Sequence, residues 1–145
     1  MPRGSKKYQI PLFLEKIGIH QADYGAWLDR ITVAHSVRDK HRLKKKINRE
    51  AYRKAIHAAV EASNGYDVYT GEKLDFHLLE YFAGAPVIER AEKEVPTLDH
   101  VILDADDPKF AFCSLRTNKC KADLLVEELV EFCTVFLAHQ KKKNS

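Results

Sequence analysis

The sequence predicts an α+β protein in which a helical, basic N-terminal extension precedes a β-hairpin packed on a helix. Three patterns carry this reading. Apolar residues recur at three- and four-residue steps between Gln21 and Ser63, as on the buried stripe of a helix. Two short apolar runs, Thr97 to Leu103 and Phe110 to Cys113, flank the turn-forming stretch Asp104-Ala105-Asp106-Asp107-Pro108-Lys109, as in an antiparallel ribbon. Helical spacing then returns at Leu125, Leu129, Phe132, Cys133 and Phe136.

In chain order, Tyr8 to Ile19 is a short apolar segment that packs on the body as a helix or an irregular arm, its form left open by Pro11. From Gln21 towards Arg42, the set Tyr24, Trp27, Leu28, Ile31 and Ala34 marks a first long helix and assigns Trp27 to the core. A second helix follows Asn48, a residue suited to an N-cap. Its inward stripe is Tyr52, Ile56, Ala59, Val60 and Ser63, and Asn64-Gly65 supplies a left-handed stop. Tyr66 to Phe76, with aromatic and β-branched residues around Thr70-Gly71, reads as a short hairpin. His77 to Glu94 reads as a short helix, a break at Gly84-Ala85-Pro86, and a charged helical or loop piece. The last helix is expected to follow the second strand directly, with Lys141, Lys142 and Lys143 complementing its C-terminal dipole. Two regions result: residues 1–65, helical and basic, and residues 66–140, holding the hairpin and final helix.

Composition narrows the function classes. With 145 residues, 45% hydrophobic and 31% charged, the chain matches an ordinary globular domain. Charged residues interrupt every apolar run before it reaches the ~20 residues of a membrane span, so no membrane partner is expected. The opening Met1-Pro2-Arg3-Gly4-Ser5-Lys6-Lys7 lacks the apolar core of a secretory leader, and three cysteines lack a Cys-x-x-Cys pair. A reduced, cytoplasmic protein without structural zinc is expected, with Cys113 and Cys133 as buried thiols. The net charge of +3 is small, but Arg38, Lys40, Arg42, Lys44, Lys45, Lys46, Arg49, Arg53 and Lys54 crowd one stretch. That stretch is the expected anion-facing surface, with Arg38, Lys45, Arg49 and Arg53 as candidate nucleic-acid contacts.

One group of residues suits phosphodiester hydrolysis, which needs a base to deprotonate water and a divalent cation to stabilise the departing oxygen. Asp99 and His100 are neighbours in a strand, so their side chains diverge and can serve opposite sides of one phosphate. Asn118, at the start of the final helix, offers an amide oxygen that the hairpin fold would bring towards Asp99, and such oxygens suit Mg²⁺ or Mn²⁺. Lys121 lies one helical turn later and, with Arg116, is a candidate phosphate-binding residue. His20, His35, His41, His57, His77 and His139 lack a comparable setting and read as surface or helix-packing residues.

These residues resemble the HNH nuclease superfamily. The matching segments are Leu98-Asp99-His100-Val101 and Cys113-Ser114-Leu115-Arg116-Thr117-Asn118-Lys119-Cys120-Lys121-Ala122-Asp123-Leu124. Tyr69-Thr70-Gly71-Glu72-Lys73-Leu74 is similar to the turn that often stands upstream in such proteins. The resemblance covers Tyr66 to Phe136 and implies a ββα-metal core with Asp99 and Asn118 as ligands of one Mg²⁺ or Mn²⁺ and His100 as general base. It implies an endonuclease acting on DNA, with RNA left open. The helical first half resembles, more loosely, an extension in uncharacterised bacterial HNH-like proteins. Two departures stand out: Lys109, beside Pro108, occupies the place nearest the superfamily's middle Asn, and the connection after His100 is short. They leave a second reading, a catalytically degenerate HNH-fold protein that binds nucleic acid. A third reading is a protein-interaction domain whose lysine-rich helices meet an acidic partner.

Overall fold

The structure, a computed structural model, describes residues 8–83 and 92–145. It is mixed α+β: α1 (Leu12–Lys16), α2 (Gln21–Leu43), α3 (Arg49–Ser63), a 3-10 helix (Phe76–Ala83), β1 (Pro96–Ile102), β2 (Lys109–Ser114), α4 (Leu115–Lys121) and α5 (Val126–Lys143). The Gly84-Ala85-Pro86 break lies outside the described residues.

α3 forms where its sequence signals stand. Asn48 Oδ1 accepts from Ala51 N at 3.1 Å, satisfying one of the orphan amides of the first turn. Asn64 stops the helix in the left-handed conformation at φ 48°, a geometry that asparagine tolerates better than most residues. Its stripe Tyr52, Ile56, Ala59, Val60 and Ser63 is buried as expected. In α2 the inward face departs from the expected one. Tyr24, Trp27 and Leu28 are buried, but the face continues through Thr32, His35, Ser36 and Asp39, whereas Ala34 is exposed. From Tyr24 onward those steps follow the helical repeat, so the stripe turns polar instead of ending.

β1 and β2 pair antiparallel, with Leu98 opposite Phe112, Asp99 opposite Ala111 and His100 opposite Phe110. An irregularity between His100 and Ile102 brings Lys109 opposite Ile102. The connecting loop is braced twice: Asp104 Oδ1 accepts from the amides of Asp106 and Asp107, and Asn48 N donates to Ala105 O at 2.8 Å. Tyr66 to Phe76 is a tight turn rather than a two-stranded hairpin, with one bridge between Tyr66 and Lys73 and Gly71 at φ +76°. Its Val68 N donates to Phe112 O, which lays the turn alongside β2.

An apolar cluster joins residues from both halves of the chain. Tyr24, Trp27, Leu28, Tyr52, Ile56 and Val60 pack with Leu74, Phe76, Leu98, Phe110 and Phe112. Phe112 is fully buried, with its ring tilted against those of Trp27 and Phe76. Truncating it to alanine removes a ring from the centre of that cluster, a loss of about 3–5 kcal/mol in a core of this kind.

The C-terminal region corrects two expectations. The helix carrying Asn118 is α4, a separate two-turn element that ends at Ala122 with φ 49°, so α5 does not follow β2 directly. α5 has no buried residue, and Cys133 on it is exposed, whereas Cys113 in β2 is buried as expected. Helical periodicity reports an apolar stripe and does not say what covers it. Among the described residues no helix is long and apolar enough to cross a membrane.

Candidate active site

β1 divides the candidate residues between its two faces. His100 points towards α2, where its Nε2 lies 3.0 Å from Oδ2 of Asp39. Asp39 is wholly buried, and the same oxygen accepts from the Tyr52 hydroxyl at 2.6 Å. A carboxylate only accepts, so Nε2 carries the proton of the neutral imidazole and Nδ1 holds the free lone pair. The His100 ring is seated against Phe110, with ring centres 4.8 Å apart, and its side chain keeps 19% of its surface open. The imidazole is thus oriented, in a defined tautomer, at the edge of the core.

His35 lies one turn before Asp39 on α2, with its ring 5.2 Å from that of His100. Burial first, then the neighbouring His100 and Arg38, push its pKa down to about 4, so His35 is neutral at pH 7. Nδ1 of His35 and Oδ1 of Asp39 have no hydrogen-bond partner among the described residues, nor do Thr32 Oγ1 and Ser36 Oγ on the same face. No local pattern ties this polar row to His100, because even Asp39, its nearest member, stands 61 residues earlier in sequence. The available signal was the continuation of the α2 stripe into Thr32, His35, Ser36 and Asp39 at helical spacing.

Asp99 points the other way, towards α4. Its Oδ2 accepts from the Tyr69 hydroxyl at 2.6 Å and pairs with Lys121 Nζ at 3.0 Å. Both partners of that ion pair are buried, and burial together with the Asp99 bond holds the Tyr69 hydroxyl above the ordinary tyrosine range. Asn118 stands one turn before Lys121 on α4 and therefore on the same helical face. Arg116 is exposed and lies 3.4 Å from Glu72, so it stays available to a ligand.

Asp67 fixes the junction between β2 and α4. It accepts from Ser114 N, Thr117 Oγ1, Tyr69 N and Thr70 N at 2.8–3.1 Å. Burial opposes its charge, yet these bonds outweigh it and hold the carboxyl below its usual range. One side chain thereby ties the Tyr69-Thr70-Gly71-Glu72 turn, which carries Tyr69 to Asp99, to the first turn of the helix that carries Asn118 and Lys121.

Of the basic residues, Lys45 lies with Lys40, His41, Lys44 and Lys46 around an open depression of about 610 Å³. Arg38 and Arg49 are exposed. Arg53 is committed to Asp29 at 3.1 Å and Glu50 at 3.0 Å.

Among the described residues no group of three or more His, Cys, Asp or Glu side chains is arranged to hold a metal. A cation at Asp99 would rest on that carboxylate and the Asn118 amide, both hard oxygen donors of the kind Mg²⁺ and Mn²⁺ take, with water completing its shell. Asp99 already holds the positive charge of Lys121, which a cation bound there would have to displace. No protein-family model, curated protein or solved structure matches the chain.

Proposed function

We propose that the protein is a metal-dependent endonuclease of the HNH type, a ββα-metal core that hydrolyses DNA phosphodiesters with His100 as general base. The observation that carries the proposal is the seat of His100: Nε2 bound to the buried Asp39 carboxylate, which Tyr52 holds in turn. A base must present a lone pair in a fixed direction, and this arrangement leaves Nδ1 for a water molecule. The Asp39 carboxylate also favours the imidazolium that forms once the proton has moved. A divalent cation bound at Asp99 and Asn118 would stabilise the charge that builds on the leaving oxygen. Lys121 would turn from Asp99 towards a non-bridging phosphate oxygen, with Arg116 beside it, while the surface around Arg38 and Lys45 neutralises neighbouring phosphates. In this reading the protein works in the cytoplasm on DNA.

The direct test is nicking of supercoiled plasmid in Mg²⁺ or Mn²⁺. Activity in the wild type that is lost in His100→Ala, with plasmid affinity retained, supports the assignment. Inert protein across several divalent ions and pH values removes it.

The buried Lys121–Asp99 pair favours a second reading, in which the ammonium stands permanently in the cation's place and the protein binds nucleic acid without cutting it. Salt-sensitive plasmid binding without divalent-dependent nicking supports that reading.

A further inference from the structure

A cleft of about 560 Å³ lies between α1 and the Tyr66 to Phe76 turn. The buried Leu74 and Phe76 line it together with Phe13, whose ring meets that of Phe76 edge-on at 5.1 Å. Tyr66 adds a second aromatic wall and exposes 48% of its surface. Lys16 and Lys73 are exposed in the lining, and neither ammonium joins an ion pair among the described residues. Two carboxylates complete the polar groups: Glu94, and Asp75, one oxygen of which already accepts from His77 N.

The turn that walls this cleft also reaches the candidate active site. Tyr66 bridges Lys73 across it, and Tyr69, three residues after Tyr66, donates its hydroxyl to Asp99. Three residues of backbone span at most about 10 Å. Glu72, next to Lys73, faces Arg116. Cleft and candidate cation site are therefore the two sides of one short turn.

Given the nuclease reading, we infer that the cleft seats an unpaired nucleotide of the DNA strand near the scissile phosphate, its base stacked on Tyr66. Every base has a flat face that an exposed aromatic ring can cover, whatever the sequence. Exocyclic amines of the base edge find acceptors in Asp75 and Glu94, and the flanking phosphates meet Lys16 and Lys73 as point charges. The two carboxylates argue against the alternative of a duplex backbone lying across the cleft, because they would face its closely spaced phosphates. A paired base has its face covered by its neighbours in the stack and cannot enter. The substrate class is thus DNA with an unpaired stretch beside the cut, not uninterrupted duplex.

Fluorescence anisotropy of one labelled oligonucleotide, single-stranded and annealed to its complement, tests this on the full chain in EDTA, where no cation is needed and nothing is cut. Tyr66→Ala should weaken single-strand binding roughly tenfold and leave duplex binding unchanged, while Tyr66→Phe, which keeps the ring, should retain the wild-type affinity. Lys16→Ala/Lys73→Ala should lower the slope of log affinity against log salt by about 0.7 for each lysine on the single strand. The near-ultraviolet signal of the buried Trp27 checks that each variant is folded. A wild type that does not bind the single strand, or a Tyr66→Ala variant that weakens neither form or both alike, overturns the inference. A loss in Tyr66→Phe equal to that in Tyr66→Ala overturns the stacking. A Tyr66-dependent preference for single strand in a protein that nicks no plasmid supports the cleft and removes the nuclease reading alone; nicking without that preference does the reverse.

Discussion

His100 Nε2 lies 3.0 Å from Oδ2 of Asp39, a residue 61 positions earlier on a different element. The geometry makes Asp39 the group that sets which nitrogen of His100 bears the proton. Asp39→Asn should therefore do more than remove a charge. Tyr52 and His100 share one oxygen, Oδ2, so an asparagine that sets its NH₂ there donates to Nε2, shifts the imidazole proton to Nδ1 and takes away the lone pair the base needs, whereas one that sets its carbonyl oxygen there keeps the tautomer but loses the charge that favours the imidazolium. Nicking should fall by about 10²–10⁴-fold, the usual contribution of a general base, with plasmid affinity unchanged. Tyr52→Phe is the control. It removes a bond to the same carboxylate and lowers stability by about 1–3 kcal/mol, but leaves the imidazole contact and should leave most of the nicking rate. Equal rate losses in the two variants would reduce Asp39 to a packing residue.

His35 gives the fold a pH dependence whose sign follows from its environment. Burial, His100 and the α2 residues Arg38 and Arg42 disfavour its charged form, Asp39 opposes them, and the Phe110 ring packs edge-on against it. The folded pKa, about 4, lies below the ordinary 6.5. The unfolded chain therefore binds the proton first on acidification. The stability that neutral His35 contributes is full above pH 6.5 and is lost as pH falls towards 4, by up to about 1.4 kcal/mol per pH unit. Urea midpoints measured across that window should fall in the wild type and flatten in His35→Leu. An unchanged slope in the variant would assign the dependence to other groups.

How far the sequence could be read depends on the range of the interaction. Asn48 and Asn64 act on amides and dihedrals within their own turn, so both ends of α3 were legible. The β1–β2 pairing was legible because the Asp104 to Lys109 turn joins adjacent apolar runs. Asp39 and Asp67 act across tens of residues, and no local pattern marks a lone aspartate as the partner of a distant histidine or of a helix start. The α2 face shows the limit well: the step from Leu28 to Thr32, His35 and Asp39 preserves helical spacing but changes polarity, which reads as a helix turning to solvent. Cys133 shows the converse limit: it sits in an apolar stripe at helical spacing yet is exposed, because periodicity does not encode what covers a helix face.

Lys121 and Asp99 form a buried ion pair at 3.0 Å, and each is exposed to the consequence of losing the other. Lys121→Met leaves Asp99 with the Tyr69 hydroxyl alone and should cost about 3–5 kcal/mol, as should Asp99→Leu, while the double variant loses far less than the sum. Denaturant unfolding of the four proteins measures this coupling. The same variants test the cation. If Asp99 receives Mn²⁺, removing the competing ammonium in Lys121→Met should tighten Mn²⁺ binding about tenfold, and Asp99→Leu should abolish it; by the affinity scale, tenfold is a readily measured difference in calorimetry. Undiminished binding in Asp99→Leu would place the ion elsewhere.

The basic surface should prove uneven, because the structure has already spent one of its four candidate cations. Arg53 is held by Asp29 and Glu50, and turning it to a phosphate means breaking both pairs. Lys45, beside Lys40, Lys44 and Lys46, faces an open depression with no acidic side chain in its lining. Each phosphate contact that is lost should lower the slope of log affinity against log salt by about one. Lys45→Ala and Arg38→Ala should each show that change, weakening binding to any DNA sequence alike. Arg53→Ala should show little change in slope and should instead lower stability modestly, by about 0.2–1 kcal/mol per exposed pair. Gel-shift titrations of the three variants from low to physiological salt separate these outcomes. A slope change in Arg53→Ala as large as in Lys45→Ala would mean that DNA draws Arg53 out of its ion pairs, which extends the footprint from the end of α2 along α3.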